Sequence, residues 1–264
     1  MSWSPSQYLR FSDHRLRPGL ELLARIPDID PGVVFDLGCG PGNLTREVAS
    51  RWPEAQVVGV DSSAEMIARA AADFPEIEFE EGDIETWTPE FEVDLIFSNA
   101  TLHWLDHHGR LFPRLFDFLR PGGVLAVQMP NNWSAPTHTV PRDVLADARW
   151  SEELRHLLPI DRVDEPSEYR RWLIDAAVSF DIWQTTYYQE LTGDDPVWEW
   201  TTGSLLRPVL AALEGADRAD FTTAVKSGYR QAYQPDHTGT VLLPFRRLFL
   251  IAVRKPADAG LTRG

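Results

Sequence analysis

Apolar and polar positions along this chain change period repeatedly. After residue 30, short β-branched runs alternate with stretches whose apolar positions recur every three or four residues. Five runs read as strands: VVFDL (33–37), QVVGVD (56–61), IEFEE (77–81), VDLIFSN (93–99) and GVLAVQM (123–129). Between them NLTREVASRW, SAEMIARAAADF and GRLFPRLFDFLR read as helices, and the last stops at a Pro-Gly-Gly turn. Strands alternating with helices predict an α/β domain built on a parallel sheet. Two more strands come late, SFDIWQTTYYQEL (179–191) and PFRRLFLIAVRK (244–255). The gaps before them far exceed a plain βα connection. They predict helical insertions at 131–178 and 192–240, the material of a substrate lid, with a helical cover at 1–30, a core at 31–130 and a final strand at 241–255.

The length of 264 residues favours one elaborated domain. Forty acidic against 25 basic side chains leave a formal net charge of −15, which repels phosphate backbones, so no nucleic-acid partner is expected. No apolar run approaches the roughly 20 residues of a membrane-spanning helix, and the start, MSWSPSQYLRF, lacks the pattern of a secretory leader. A cytoplasmic protein without a membrane partner is expected; nothing bears on oligomeric state. Cys39, the single cysteine, excludes an internal disulfide and a thiolate metal site, and no Asp/Glu/His cluster has metal-ligand spacing.

Candidate chemistry begins where the first strand meets the first helix. VVFDLGCGPGN sets Asp36, Gly38, Gly40 and Gly42 at that join, where glycines allow a tight turn and close approach of a ligand to the backbone. Asp61 ends the second strand, placed to accept hydrogen bonds from ribose hydroxyls, GDI (82–84) follows the third, SNATLHWL the fourth, and LRPGG leads into the fifth. A dinucleotide-binding domain shares the glycines and the acidic ribose residue but accounts for neither Asp36 nor the GDI and LRPGG segments.

From about residue 30 to 130 these motifs, in order, resemble the class I S-adenosylmethionine-dependent methyltransferases. The resemblance implies a Rossmann-like seven-stranded sheet with an antiparallel last strand, and S-adenosylmethionine as cofactor. It places Asp36 and the run from Gly38 through Gly40 to Gly42 around the methionine part, Asp61 by the ribose, Asp83 and Ile84 at the adenine, and Asn99 beside the amino-acid end, with Ser62 and Met66 as further cofactor contacts. Tyr8 and Arg17 are expected to cover the cofactor.

A carboxylate acceptor, ionised at pH 7, needs neither base nor metal, only cations and hydrogen-bond donors to hold it. Arg207 in TTGSLLRP and Arg246 and Arg247 in PFRR are candidate cations; neighbours in a strand face opposite ways, so one of the last two can face a site, and Arg246 is favoured. Outside the core, GGVLAVQMPNNWSAPTH, DIWQTTYYQ, TGSLLRP and PFRRLFLIA, with YLRFSDHRLRPGLELLARIP at the start, make the whole chain similar to the bacterial trans-aconitate 2-methyltransferases. This implies O-methylation of a carboxylate of a small tricarboxylate, without a catalytic side chain beyond a positioning role for His103. Candidate substrate contacts are His103, Trp104, Asn131, Asn132, His138, Tyr187, Tyr188, Arg207 and Arg246. At most one of Tyr187 and Tyr188 can face a site, and His107 and His108 are expected to face solvent. The alternatives are a methyltransferase for malonyl-acyl-carrier protein or another small acid, and a cofactor-binding regulator without catalysis.

Overall fold

A computed structural model describes residues 16–203 and 205–256. The strands are β1 (Val33–Leu37), β2 (Gln56–Asp61), β3 (Glu78–Glu81), β4 (Val93–Asn99), β5 (Leu119–Pro130), β6 (Ala177–Leu191) and β7 (Val241–Arg254). Helices of the described residues are α1 (Arg17–Arg25), α2 (Asn43–Arg51), α3 (Ala64–Asp73), α4 (His108–Asp117), α5 (Pro136–Leu145), α6 (Glu152–His156), α7 (Pro166–Leu173), α8 (Pro196–Thr202), α9 (Arg207–Ala212) and α10 (Gly215–Ala232). None is long and apolar enough to cross a membrane. One sheet orders the strands β3-β2-β1-β4-β5-β7-β6, and β3, β2, β1, β4 and β5 pair in parallel. The backbone N–H of Asn131, just past β5, donates to Arg246 O near the start of β7, while Lys255 N–H, past the end of β7, donates to Ala176 O before β6. β7 therefore runs antiparallel to both neighbours, as expected from sequence.

β1 and β4 are almost wholly buried, as strands covered on both faces must be. Their starts are fastened by Asp94: Oδ2 accepts the Gly32 and Val33 N–H groups at 2.7 and 2.8 Å, and Oδ1 meets Arg120. Sequence placed a turn at Pro-Gly-Gly before β5, and here the structure differs. β5 begins at Leu119, paired with Val93, and the pairing resumes at Leu95 with Val124, so Arg120 to Gly123 form a bulge within the strand. Gly122 takes φ +84° there. The bulge lets Arg120 reach Asp94.

Two compact units divide the chain. Among the described residues the first holds 16–130, 162–184 and 248–256, so part of the first expected insertion, 162–178, packs with the core. Its anchor is Tyr169 of α7, fully buried against Phe112 and His108 of α4. His108, expected at the surface, is 1% exposed. Its Nε2 meets Leu102 O at 2.9 Å, so that nitrogen carries the proton and Nδ1 accepts the Tyr169 hydroxyl at 2.7 Å. The same hydroxyl accepts Asp164 N–H at 3.1 Å.

The second unit, residues 131–161 and 185–247, is mostly helical. Its core gathers Leu145, Trp150, Leu206, Val209, Phe221, Val225 and Leu243. α10 lies so close to α5 that a Cβ at Gly228 would fall 2.5 Å from Val140. Tyr229 O–H donates to Thr137 O at 2.8 Å, and Tyr233 Oη accepts Thr137 N–H at 3.1 Å, pinning the start of α5.

Tyr169→Phe keeps the ring but leaves His108 Nδ1 and Asp164 N–H without their partner; urea unfolding at pH 7 is expected to show a loss of about 2 kcal/mol. Unchanged stability would contradict this anchoring role.

Candidate functional site

At the carboxyl ends of β1, β2 and β4 lies a cavity of about 530 Å³. It is lined by Asp36, Gly38, Gly40, Asp61, Ser62, Met66, Asp83, Ile84, Asn99 and Trp104, ten of the residues expected from sequence. Open α/β sheets bind ligands at this edge. Its floor exists because the backbone turns left-handed at Gly38, Gly40 and Gly42, with φ of +78°, +54° and +81°. Gly38 has a second reason: a Cβ there would meet Thr101 at 2.1 Å. Around Gly40 the space is open, with nothing within 4 Å of such a Cβ, so a ligand can approach the backbone. Gly42 faces Phe79 and Phe74 instead and does not line the cavity.

Asp61 braces this turn. Its Oδ2 accepts Gly40 N–H and its Oδ1 accepts Ser63 N–H, both at 2.9 Å, and the carboxylate keeps lone pairs for a ligand. Asp83 Oδ1 likewise accepts Glu85 N–H at 2.9 Å. Asn99 Oδ1 is shielded from solvent and has no partner among the described residues, an acceptor that a ligand N–H would satisfy.

Asp36 accepts the Thr45 hydroxyl at 2.7 Å and is 2% exposed. Burial pushes its carboxyl up to about 7; the Thr45 bond opposes the rise and the Asp61 charge adds to it. A cation in the cavity would reverse this by favouring the ionised form. Burial also raises the Cys39 thiol, which disfavours its nucleophilic thiolate.

Other expected residues lie elsewhere. Tyr8 is outside the described residues. Arg17 starts α1, exposed, with Nε on Glu21 at 2.8 Å; its neighbour Leu16 lines the cavity instead. His103 is buried beside the cavity, its ring 4.6 Å from Trp104, which is 61% exposed. Cys39 and Pro41, inside the expected turn from Gly38 to Gly42, also line the cavity; Asn43, Leu44, Ala100, Thr101 and Leu105 do so without having stood out in the sequence, since they contribute backbone and shape more than distinctive chemistry.

In the second unit, Asn132 exchanges hydrogen bonds with the Arg246 backbone at 2.7 and 3.0 Å, acting as a strap. The Arg246 guanidinium donates to Asn131 O and Ser134 Oγ, both at 2.9 Å. Arg247 points the other way, 4.8 Å over the Phe245 ring; burial lowers its guanidinium to about 10, against the pull of the Tyr187 phenol, and it stays charged at neutral pH. Tyr187 is partly buried and Tyr188 is 65% exposed, the alternation a strand demands. His138 packs edge-on to Trp133, and burial, helped by Arg142, lowers its imidazole to about 4, so it is neutral at pH 7. Arg207 lines a separate cavity of this unit.

A family model described as a methyltransferase domain matches residues 34–123. The chain is 45% identical to a trans-aconitate 2-methyltransferase of Streptomyces avermitilis, over 95% of this chain and 96% of that one. It is 44% identical to one of Methylobacterium nodulans, over 96% and 98% respectively. One of Escherichia coli O157:H7 is 42% identical, over 96% and 98%. Among solved structures, the YcgJ protein of Bacillus subtilis has a TM-score of 0.58 at 16% identity, covering 90% of this chain and 98% of that one. A Haemonchus contortus phosphoethanolamine N-methyltransferase in complex with S-adenosyl-L-methionine has a TM-score of 0.54 at 16% identity, covering 96% and 57%. At such identity these two bear on the fold alone.

The raised Asp36 carboxyl makes a pH prediction for the free protein. Its contribution to stability is fully present below the ordinary value of 3.8 and is lost as the pH rises to about 7, because the folded state keeps a proton that the unfolded state releases. Asp36→Asn preserves the bond to Thr45 and is expected to remove that slope, at most about 1.4 kcal/mol per pH unit, in unfolding measured across the window. Equal slopes in the two proteins would contradict the assignment.

Proposed function

The chain belongs to the trans-aconitate 2-methyltransferase family, and on that premise we infer that it transfers a methyl group from S-adenosylmethionine to one carboxylate of trans-aconitate, giving the monomethyl ester and S-adenosylhomocysteine. The observation that carries this reading is the acceptor-rich cavity of the first unit, where Asp36, Asp61 and Asn99 Oδ1 line one concave surface. That arrangement suits a ligand bearing an ammonium, a sulfonium and ribose hydroxyls. When bound, the cofactor supplies a methyl group already activated on sulfur.

The chain's own task is then to hold and orient. The open backbone at Gly40 admits the methionine portion, and Asn99 Oδ1 with the Asp36 carboxylate receives its ammonium. Asp61 accepts the ribose hydroxyls with its remaining lone pairs, and Asp83 and Ile84 take the adenine edge and face. Because an acceptor carboxylate is ionised at pH 7, displacement at the methyl carbon requires no proton removal, and positioning supplies the acceleration. With the cofactor bound, the ester C–O bond would form as the S–C bond breaks, neutralising the negative acid and the positive sulfonium, and the chain's residues would supply position alone. His103 serves as a positioning candidate. Arg207 and Arg246 are the cations we assign to acceptor carboxylates, their guanidiniums suited to planar anions. Within this reading the reaction is cytoplasmic and involves neither nucleic acid nor membrane.

Methyl-labelled cofactor with a panel of trans-aconitate, cis-aconitate, isocitrate, citrate and malonyl-acyl-carrier protein tests the assignment. Label is expected in a trans-aconitate monoester, at a rate that EDTA leaves unchanged. Incorporation into an acyl carrier protein alone, or into nothing, would refute it, and loss of turnover with EDTA would refute the metal-free chemistry. Asp61→Ala is expected to weaken cofactor binding about tenfold or more in calorimetry, since charge-assisted hydrogen bonds are worth roughly 1.5–3 kcal/mol. Undiminished affinity would remove Asp61 from the cofactor site.

A further inference from the structure

The second unit holds a cavity of about 450 Å³ to which three helices each bring side chains spaced by one turn. α8 contributes Trp198 and Thr202, α9 contributes Arg207, Leu210 and Ala211, and α10 contributes Arg218 and Thr222. Residues four apart share a helix face, so each helix turns one face toward this hollow.

The charge in it runs against the composition. In a chain with 40 acidic and 25 basic residues, two arginines and, among the described residues, no carboxylate line one cavity. Among the described residues neither guanidinium has a hydrogen-bond or ion-pair partner, whereas nearby Arg149 pairs with Asp220 and Arg230 with Asp195. The acids of the same segments are engaged or face elsewhere. Asp220 is in the pair just named, Glu214 and Asp217 line a different hollow beside Arg149, and Glu199 Oε2 lies toward Gly193. Two arginine forks with no internal anion are suited to an anion from solution.

The rest of the lining selects the kind of anion. Trp198, Leu210 and Ala211 offer apolar surface, which suits a carbon skeleton better than a bare, strongly hydrated inorganic ion. The Thr202 hydroxyl is spent as a donor on Glu199 O at 2.8 Å, while that of Thr222 has no partner among the described residues and is free to donate. We propose that this cavity anchors the acceptor, a small polycarboxylate, with Arg207 and Arg218 each gripping one carboxylate. The proposal deepens the function given above and rests on it for the identity of the acid. It adds Arg218, which carries no motif in the sequence, to Arg207, which does.

The test uses the full chain. Binding of trans-aconitate, citrate and inorganic phosphate is measured by calorimetry on the wild type and on Arg207→Ala, Arg218→Ala and Arg218→Lys, beside steady-state kinetics on trans-aconitate. Both arginines are exposed, so their replacement leaves the core intact, and circular dichroism checks this. Each alanine variant is expected to raise the Kd and the KM for trans-aconitate about tenfold or more with kcat retained, as lost charge-assisted pairs do. Arg218→Lys recovers part of the loss by restoring charge without the fork. Unchanged Kd and KM in both alanine variants, or phosphate binding as tightly as the tricarboxylates, would overturn the proposal. Its failure is separable from failure of the function. Arginine-dependent binding of the acid without ester formation refutes the reaction and leaves the anchor, whereas ester formation with a KM indifferent to both arginines refutes the anchor and leaves the reaction.

Discussion

The carboxylate of Asp61 fastens the two turns from which the first unit's cavity is made. One oxygen holds Gly40 N–H in the turn after β1, and the other holds Ser63 N–H before α3. Parallel pairing brings the ends of β1 and β2 side by side, with Leu37 opposite Val60, so one side chain at the end of β2 can reach both turns. The left-handed backbone at Gly38, Gly40 and Gly42 supplies the rest of the geometry. Asp61 thus shapes the floor with two acceptor sites and leaves the remaining ones open to a ligand.

Among the described residues that line this floor there is no cation. Asp36 is so deeply buried that its carboxyl titrates near neutrality, and Asn99 Oδ1 is shielded without a donor. Both features cost the free protein stability: a buried carboxyl resists ionisation, and a buried acceptor without a donor loses its hydration. Both are relieved by a ligand that brings positive charge and N–H groups. Strain of this kind, stored in the free state and released on binding, gives a physical reason for acidic and amide side chains at strand ends where hydrophobic ones would stabilise the fold more.

Much of this was legible in the sequence because it is written in local rules. β1, β2 and β4 were read to the residue, since their apolar runs end at Gly38, at Asp61 and at the polar Ser98-Asn99 pair, and the cavity lining followed from what comes next after each strand. The failures are tertiary. The Pro-Gly-Gly segment has the composition of a turn, yet the partner strand decides its conformation, and pairing of Val93 with Leu119 makes it a bulge. His108 looked like a surface residue until Tyr169, sixty-one positions later, covered it. Arg218 is one of many charged residues on a polar helix, and only the packing of α8, α9 and α10 separates it from the acids around it.

The central claim is that the first unit's cavity is built for a positively charged methyl donor, and Asp36 reports on it. Calorimetric titration of S-adenosylmethionine near pH 7, in buffers of different ionisation enthalpy, counts the protons exchanged on binding. A cation beside Asp36 lowers the carboxyl from about 7 and forces its proton into solution. The account predicts proton release in the wild type that Asp36→Asn abolishes. Binding without proton release, or release that persists in the variant, would contradict it.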